Sequence, residues 1–154
     1  MNAITNFMGQ DHDRLEGLVT EFQATKGSDL GKAKHFFSEF KRGLQRHIVW
    51  EEEILFPLFE HRTGMEDRGP TAVMRTEHRQ IKDFLEQIHD RIAKGETNTD
   101  EFERGLLTVL SAHNQKEETI LYPWIDQSLS EQEAKETLAR MREVPEEQYH
   151  HCCG

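Results

Sequence analysis

The chain has only two cysteines, Cys152 and Cys153, adjacent near its end. Such a pair cannot make a disulfide framework. Proline is equally scarce, at 4 residues in 154, so long helices meet few interruptions. No apolar run approaches the roughly 20 residues of a membrane span. The opening Met1-Asn2-Ala3-Ile4-Thr5 lacks the basic and apolar regions of a signal peptide, which predicts a soluble cytoplasmic protein. Positive charge is in deficit: 19 Lys and Arg stand against 29 Asp and Glu, a net charge of −10. With no basic stripe, this argues against nucleic acid and membrane surfaces as partners.

What the chain does have is helical composition, rich in Glu, Lys, Arg, Gln and Leu. Apolar residues recur at steps of three and four. They predict helices over about 5–26, 29–61, 70–94 and 100–124, and a short fifth from Ser130, where Glu133 completes a capping-box spacing. Pro57 is expected to kink or loosen the end of the second helix. The fold class is all-α: an up-down-up-down antiparallel four-helix bundle with a short additional C-terminal helix. It occupies residues 1–145, and 146–154 read as a flexible Cys/His tail. Cys152 and Cys153 are most simply part of a frayed terminus. The sharper alternative is a thiol site for redox chemistry or metal transfer.

Nine histidines are many for this length. Two of them open near-identical stretches, His47-Ile48-Val49-Trp50-Glu51-Glu52-Glu53-Ile54-Leu55-Phe56-Pro57 and His113-Asn114-Gln115-Lys116-Glu117-Glu118-Thr119-Ile120-Leu121-Tyr122-Pro123. His and Glu four apart share a helix face. An offset of 66 residues carries His47 onto His113, Glu51 onto Glu117 and His12 onto His78. The chain is thus two helical hairpins, each with one lone His and one His-x-x-x-Glu. His12 and His47 are equidistant from the turn at Gly27–Gly31. His78 and His113 are equidistant from Gly95-Glu96, and His47 and His78 from the long loop. All four therefore reach one depth.

Six such side chains left unsatisfied in a core would each cost on the order of 1–3 kcal/mol. A metal pair held by His12, His47, Glu51, His78, His113 and Glu117 removes that cost. Two His per metal, two bridging carboxylates and an oxo or hydroxo bridge give about five donors each, leaving about one open position per metal. Mixed imidazole and carboxylate ligation suits two iron ions best, with manganese as the admissible alternative. Glu118 is in position to replace Glu117, and Glu16, one turn after His12, reads better as a solvated face. Met8 and Met74 read as core filler. Trp50, Phe56, Tyr122 and Trp124 read mainly as packing, with donation from Tyr122 as a minor alternative. His35, His61 and His89 read as surface residues.

These six positions resemble the hemerythrin-like, or HHE cation-binding, domain over about residues 5–126. The resemblance implies a carboxylate-bridged di-iron centre in a four-helix bundle. Two departures matter. Oxygen-carrying hemerythrins have a further His on the third helix, where this chain has Met74 or Lys82. Their last helix has Asp five residues after its His, whereas here Glu117 lies at four and Glu118 at five. The four-His, two-Glu pattern is similar to hemerythrin-like proteins linked to nitric oxide and peroxide stress, iron–sulfur repair, and iron or oxygen sensing. The resemblance implies a non-haem di-iron protein that binds or reduces dioxygen, nitric oxide or peroxide, with a redox partner to recycle the iron. Whether it turns over, as a peroxidase or nitric oxide-processing enzyme, or only senses or donates iron, the residues leave open. They also leave open the oligomeric state and a metal-free helical interaction protein.

Overall fold

A computed structural model describes residues 2–149. Among these, all regular structure is helical. Helix α1 spans Ala3–Thr25 and α2 Leu30–Val49; a π-helical turn over Trp50–Leu55 joins α2 to α3, Phe56–Thr63. After the loop come α4, Pro70–Ala93, and α5, Asp100–Lys116. A second π-turn, Glu117–Leu121, joins α5 to α6, Tyr122–Gln127, and α7 follows over Glu131–Arg142. No helix is long and apolar enough to cross a membrane. Cys152 and Cys153, whether frayed terminus or thiol site, lie outside the described residues.

The boundaries follow local chemistry. Asp29 caps α2 by accepting from the Lys32 amide. Ser130 and Glu133 form the expected capping box on α7. Gly95, at φ 80°, ends α4 in a left-handed turn: its own N–H bonds Ile92, and the Glu96 N–H reaches back to Arg91. Thr99 precedes α5 without capping it by its side chain. Its hydroxyl bonds the Glu103 side chain instead of a free amide of α5. The first turn of α1 is closed from a distance, where Asp126 accepts from the Ile4 and Thr5 amides at 2.9 Å each.

The helices pack chiefly as two hairpins, α1 on α2 and α4 on α5. Each hairpin has a glycine at its close approach. A Cβ on Gly43 would sit 2.7 Å from a Leu15 methyl, and one on Gly105 would sit 2.5 Å from the Phe84 ring. The core has two apolar clusters. One, toward the Gly27 and Gly95 turns, includes Phe22, Phe37, Phe40, Leu44, Ile81 and Leu85. The other includes Met8, Trp50, Leu55, Phe56, Phe59 and Met74. The repeat histidines fall between them along each helix, so they form one polar layer between two dry ones.

Candidate metal centre

Pro57 and Pro123 account for the π-turns. In an α-helix each proline ring would press on the carbonyl four residues back and offer it no N–H. The chain widens instead, and the kink expected at Pro57 appears as a π-turn placed before it. The Phe56 N–H bonds the carbonyl of Glu51, five residues back, and the Tyr122 N–H bonds that of Glu117. The change re-aims side chains. In an α-helix, residues five apart point about 140° away from each other; in a π-turn they return toward one face. Phe56 and Tyr122 therefore turn inward beside Glu51 and Glu117.

All six residues of the repeat converge and are buried, both glutamates completely. The rings of His12 and His47 are 4.6 Å apart between centroids, and those of His78 and His113 are 4.9 Å apart. Each hairpin thus contributes one pair. Glu51 places Oε1 3.0 Å from His78 Nε2 and Oε2 3.7 Å from His47 Nε2. Glu117 places Oε1 3.2 Å from His12 Nε2 and Oε2 3.1 Å from His113 Nε2. Each carboxylate therefore spans both pairs. Donor atoms of His12, His47 and Glu117 lie within 4.8 Å of one another, as do those of Glu51, His78, His113 and Glu117.

The other ring nitrogens are clamped from outside. His47 Nδ1 bonds Asp11 at 2.8 Å, and His113 Nδ1 bonds Glu77 at 2.9 Å. His78 Nδ1 bonds Glu52 at 2.6 Å, and His12 Nδ1 bonds Glu118 at 2.7 Å. The offset of 66 holds here too: it carries Asp11 onto Glu77 and Glu52 onto Glu118. Sequence reading missed this ring of carboxylates. The signal was present, because each is the chain neighbour of a ligand candidate and the repeat preserves it. Glu118, expected as a possible substitute for Glu117, is instead the His12 clamp. Glu16 is exposed. It lines a cavity of about 670 Å³ that reaches His12 and Glu118 from the α1–α5 side.

The clamps decide the tautomer. A carboxylate on Nδ1 keeps the hydrogen there, so a neutral imidazole turns the lone pair of Nε2 inward. Four such lone pairs would face two carboxylates at 3.0–3.7 Å. That is repulsive unless a cation lies between them. Protons are one answer. Burial pulls His12 down, yet Glu117, Glu118 and Glu51 outweigh it and lift the group to about 9. Burial likewise opposes His78, but Glu51 and Glu52 lift it to about 9. His113 also rises, against burial, through Glu117 and Glu51. For His47 burial wins over Glu51 and Asp11, and the group falls. Burial raises Glu117, but bonds from its neighbours outweigh this and hold it low. A metal pair is the other answer, with donors of the right kind. Glu117 Oε2 is buried without a well-aimed hydrogen bond despite its 3.1 Å approach to His113. This is a free acceptor of the sort a metal takes up.

Tyr122, expected mainly as packing, sits in the centre. Its hydroxyl is 2.6 Å from Glu51 Oε2 and 2.8 Å from Glu117 Oε1. A single hydrogen serves only one of them at a time. Burial and both carboxylates raise the phenol well above its usual range. Met8 and Met74 are buried in the second apolar cluster, as expected of filler. His35 and His61 are exposed, and His89 is half-buried.

Comparison with known proteins bears on the same residues. The chain is 27% identical over 135 residues to an uncharacterised hemerythrin-like protein of Schizosaccharomyces pombe. It is 27% identical over 133 residues to a DNA nickase of Nostoc. It is 34% identical over 92 residues to the iron-sulfur cluster repair protein YtfE of Edwardsiella ictaluri. These alignments cover 87%, 86% and 55% of this chain but only 64%, 36% and 41% of those proteins. No solved structure matches. The model of the hemerythrin HHE cation-binding domain matches residues 3–125, and the chain belongs to that family.

Proposed function

We propose that the chain holds two iron ions and uses them to bind or reduce a small oxidant: dioxygen, nitric oxide or peroxide. One observation carries this reading. Four outer carboxylates fix four imidazoles so that each Nε2 meets a shared carboxylate pair. His12 and His47 would hold one ion, His78 and His113 the other, and Glu51 and Glu117 would bridge. When bound, the ions supply Lewis acidity and electrons. The chain supplies the rest. Asp11, Glu52, Glu77 and Glu118 orient the rings. The apolar clusters on either side exclude bulk water. Tyr122 places its phenol oxygen between the two shared carboxylates inside the layer. The reading takes the four long helices as alternately up and down, so that each delivers its ligand at one depth, and takes the setting as cytoplasmic.

The second reading is an iron-donating or iron- or oxygen-sensing module without turnover. It draws support from the similarity to a protein named for iron-sulfur cluster repair. Both readings need the metal pair, so the first test is metal content per chain after anaerobic iron loading and desalting. Two irons in the wild type, a charge-transfer band on exposure to air, and loss of both in Glu51→Ala are expected. No bound metal, or binding indifferent to Glu51, would falsify the di-iron reading. Turnover with peroxide or nitric oxide then separates an enzyme from a donor or sensor.

A further inference from the structure

The two metal positions are not alike. The 66-residue offset carries Phe56 onto Tyr122. Both rings are fully buried. Both donate a backbone N–H to the carbonyl of the ligand glutamate five residues earlier. Phe56 stacks flat on His78, at 5.7 Å between centroids and 10° between planes. Tyr122 lies at 5.7 Å and 32° against His12. In composition the two positions differ by one hydroxyl, and the structure gives it four polar neighbours. They are Glu51 Oε2 at 2.6 Å, Glu117 Oε1 at 2.8 Å, His47 Nε2 at 3.1 Å and His12 Nε2 at 3.3 Å. Metal–donor bonds of about 2.1 Å at right angles leave neighbouring donors about 3 Å apart. The phenol oxygen therefore stands at the spacing of a fellow donor, not of a wall residue.

We propose that Tyr122 is a protein ligand of the ion held by His12 and His47, and that the ion held by His78 and His113 has no counterpart. This rests on the di-iron reading above. It gives the first ion five protein donors: His12, His47, Tyr122 and one oxygen from each of Glu51 and Glu117. The second ion has four: His78, His113 and the other two carboxylate oxygens. An external small molecule therefore enters at the His78–His113 ion, where the protein supplies fewer donors. Coordination exchanges the phenol O–H bond for an oxygen–metal bond. The proton leaves to solvent and no electrons move. Phe56 keeps the second side free of such a donor, and stacking on His78 holds that ring in place.

The test is spectroscopic and needs no turnover. Ferric-loaded wild type is expected to show a phenolate-to-iron charge-transfer band. Its resonance Raman modes should shift when the protein is made with ring-deuterated tyrosine. The chain has two tyrosines, and the other, Tyr149, lines a surface cavity beside Arg14 and Arg46. Tyr149→Phe is therefore expected to keep the band, and Tyr122→Phe to lose it while retaining two irons. Bound iron without tyrosine modes in the wild type overturns this assignment and leaves the di-iron reading intact. A band that still carries tyrosine modes in Tyr122→Phe does the same. Absence of iron in the wild type overturns both. The labelled wild type decides the matter even if Tyr122→Phe fails to fold.

Discussion

In the first hairpin α7 lies across the π-turn, and Trp50 Nε1 donates to the Met141 carbonyl at 2.7 Å. Phe7 packs on Trp50 at 5.2 Å, and the Arg142 guanidinium lies over the Phe7 ring at 5.3 Å. In the second hairpin the repeat images of these residues face water. Ile54 is 7% exposed and its image Ile120 is 56% exposed; Val73, the image of Phe7, is 49% exposed. Inside, the halves agree to the level of single hydrogen bonds, with Asp11 on His47 matched by Glu77 on His113. The two sets of constraints differ. The inner residues must serve one shared centre, so the halves are bound to each other there. The outer faces share nothing and have diverged. The Phe56–Tyr122 difference is the exception, an asymmetry inside the layer.

The largest test of equivalence is removal of the shared carboxylates. Glu51→Ala and Glu117→Ala are each expected to abolish binding of both irons, measured as metal per chain after desalting. Retention of one iron in either variant breaks the picture of carboxylates spanning both pairs. Next comes the divergent exterior. Ile54→Ala is expected to cost about 2–5 kcal/mol, and Ile120→Ala to stay within about 0.5 kcal/mol, by denaturant midpoint. Equal costs would mean that Ile120 is covered in solution.

The outer clamps give a graded effect. Asp11→Asn, Glu77→Gln, Glu52→Gln and Glu118→Gln are each expected to weaken metal binding roughly 10–100-fold in chelator competition. The order should follow side-chain exposure, which rises from 9% for Asp11 through 18% and 24% to 42% for Glu118. A reversed order would show that burial does not set the strength of these clamps.

The smallest and most gradual effect is that of pH on the metal-free protein. His12 and His78 have folded values near 9, above the unfolded value of about 6.5. Their stabilisation is therefore complete below about 6.5 and fades as pH rises toward 9. His113 acts in the same direction. His47, depressed by burial, acts in the opposite sense, and its effect is spent once pH exceeds about 6.5. The melting temperature should fall between pH 6.5 and 9 without metal. With metal bound it should not, because the metal takes the place of the protons. A flat metal-free profile would show that these imidazoles are neutral in the folded chain.

Much of the centre was legible because a helix converts spacing into direction. His47 and Glu51, four apart, share a face by geometry alone, and the repeat placed His12 and His78 beside them. The capping box at Ser130 was legible for the same local reason. The clamps were missed because each carboxylate serves a histidine on another helix, as Glu52 does for His78. Tyr122 reads as packing in the sequence because counting at α-helical spacing turns a residue five after Glu117 away from the centre. Only the π-turn brings it back. Pro57 and Pro123 marked the places where the helix had to adjust, but not whether it would kink or widen.

By itself, then, the sequence determined the helices, the repeat and the six converging side chains. These follow from local periodicity, which each helix satisfies alone. Tertiary structure decided which carboxylate holds which ring, which half α7 covers, and where the one phenol points. Each of these is a contact between elements distant in the chain, or a change in helical pitch that its surroundings must accommodate. Spacing along one helix carries no such information.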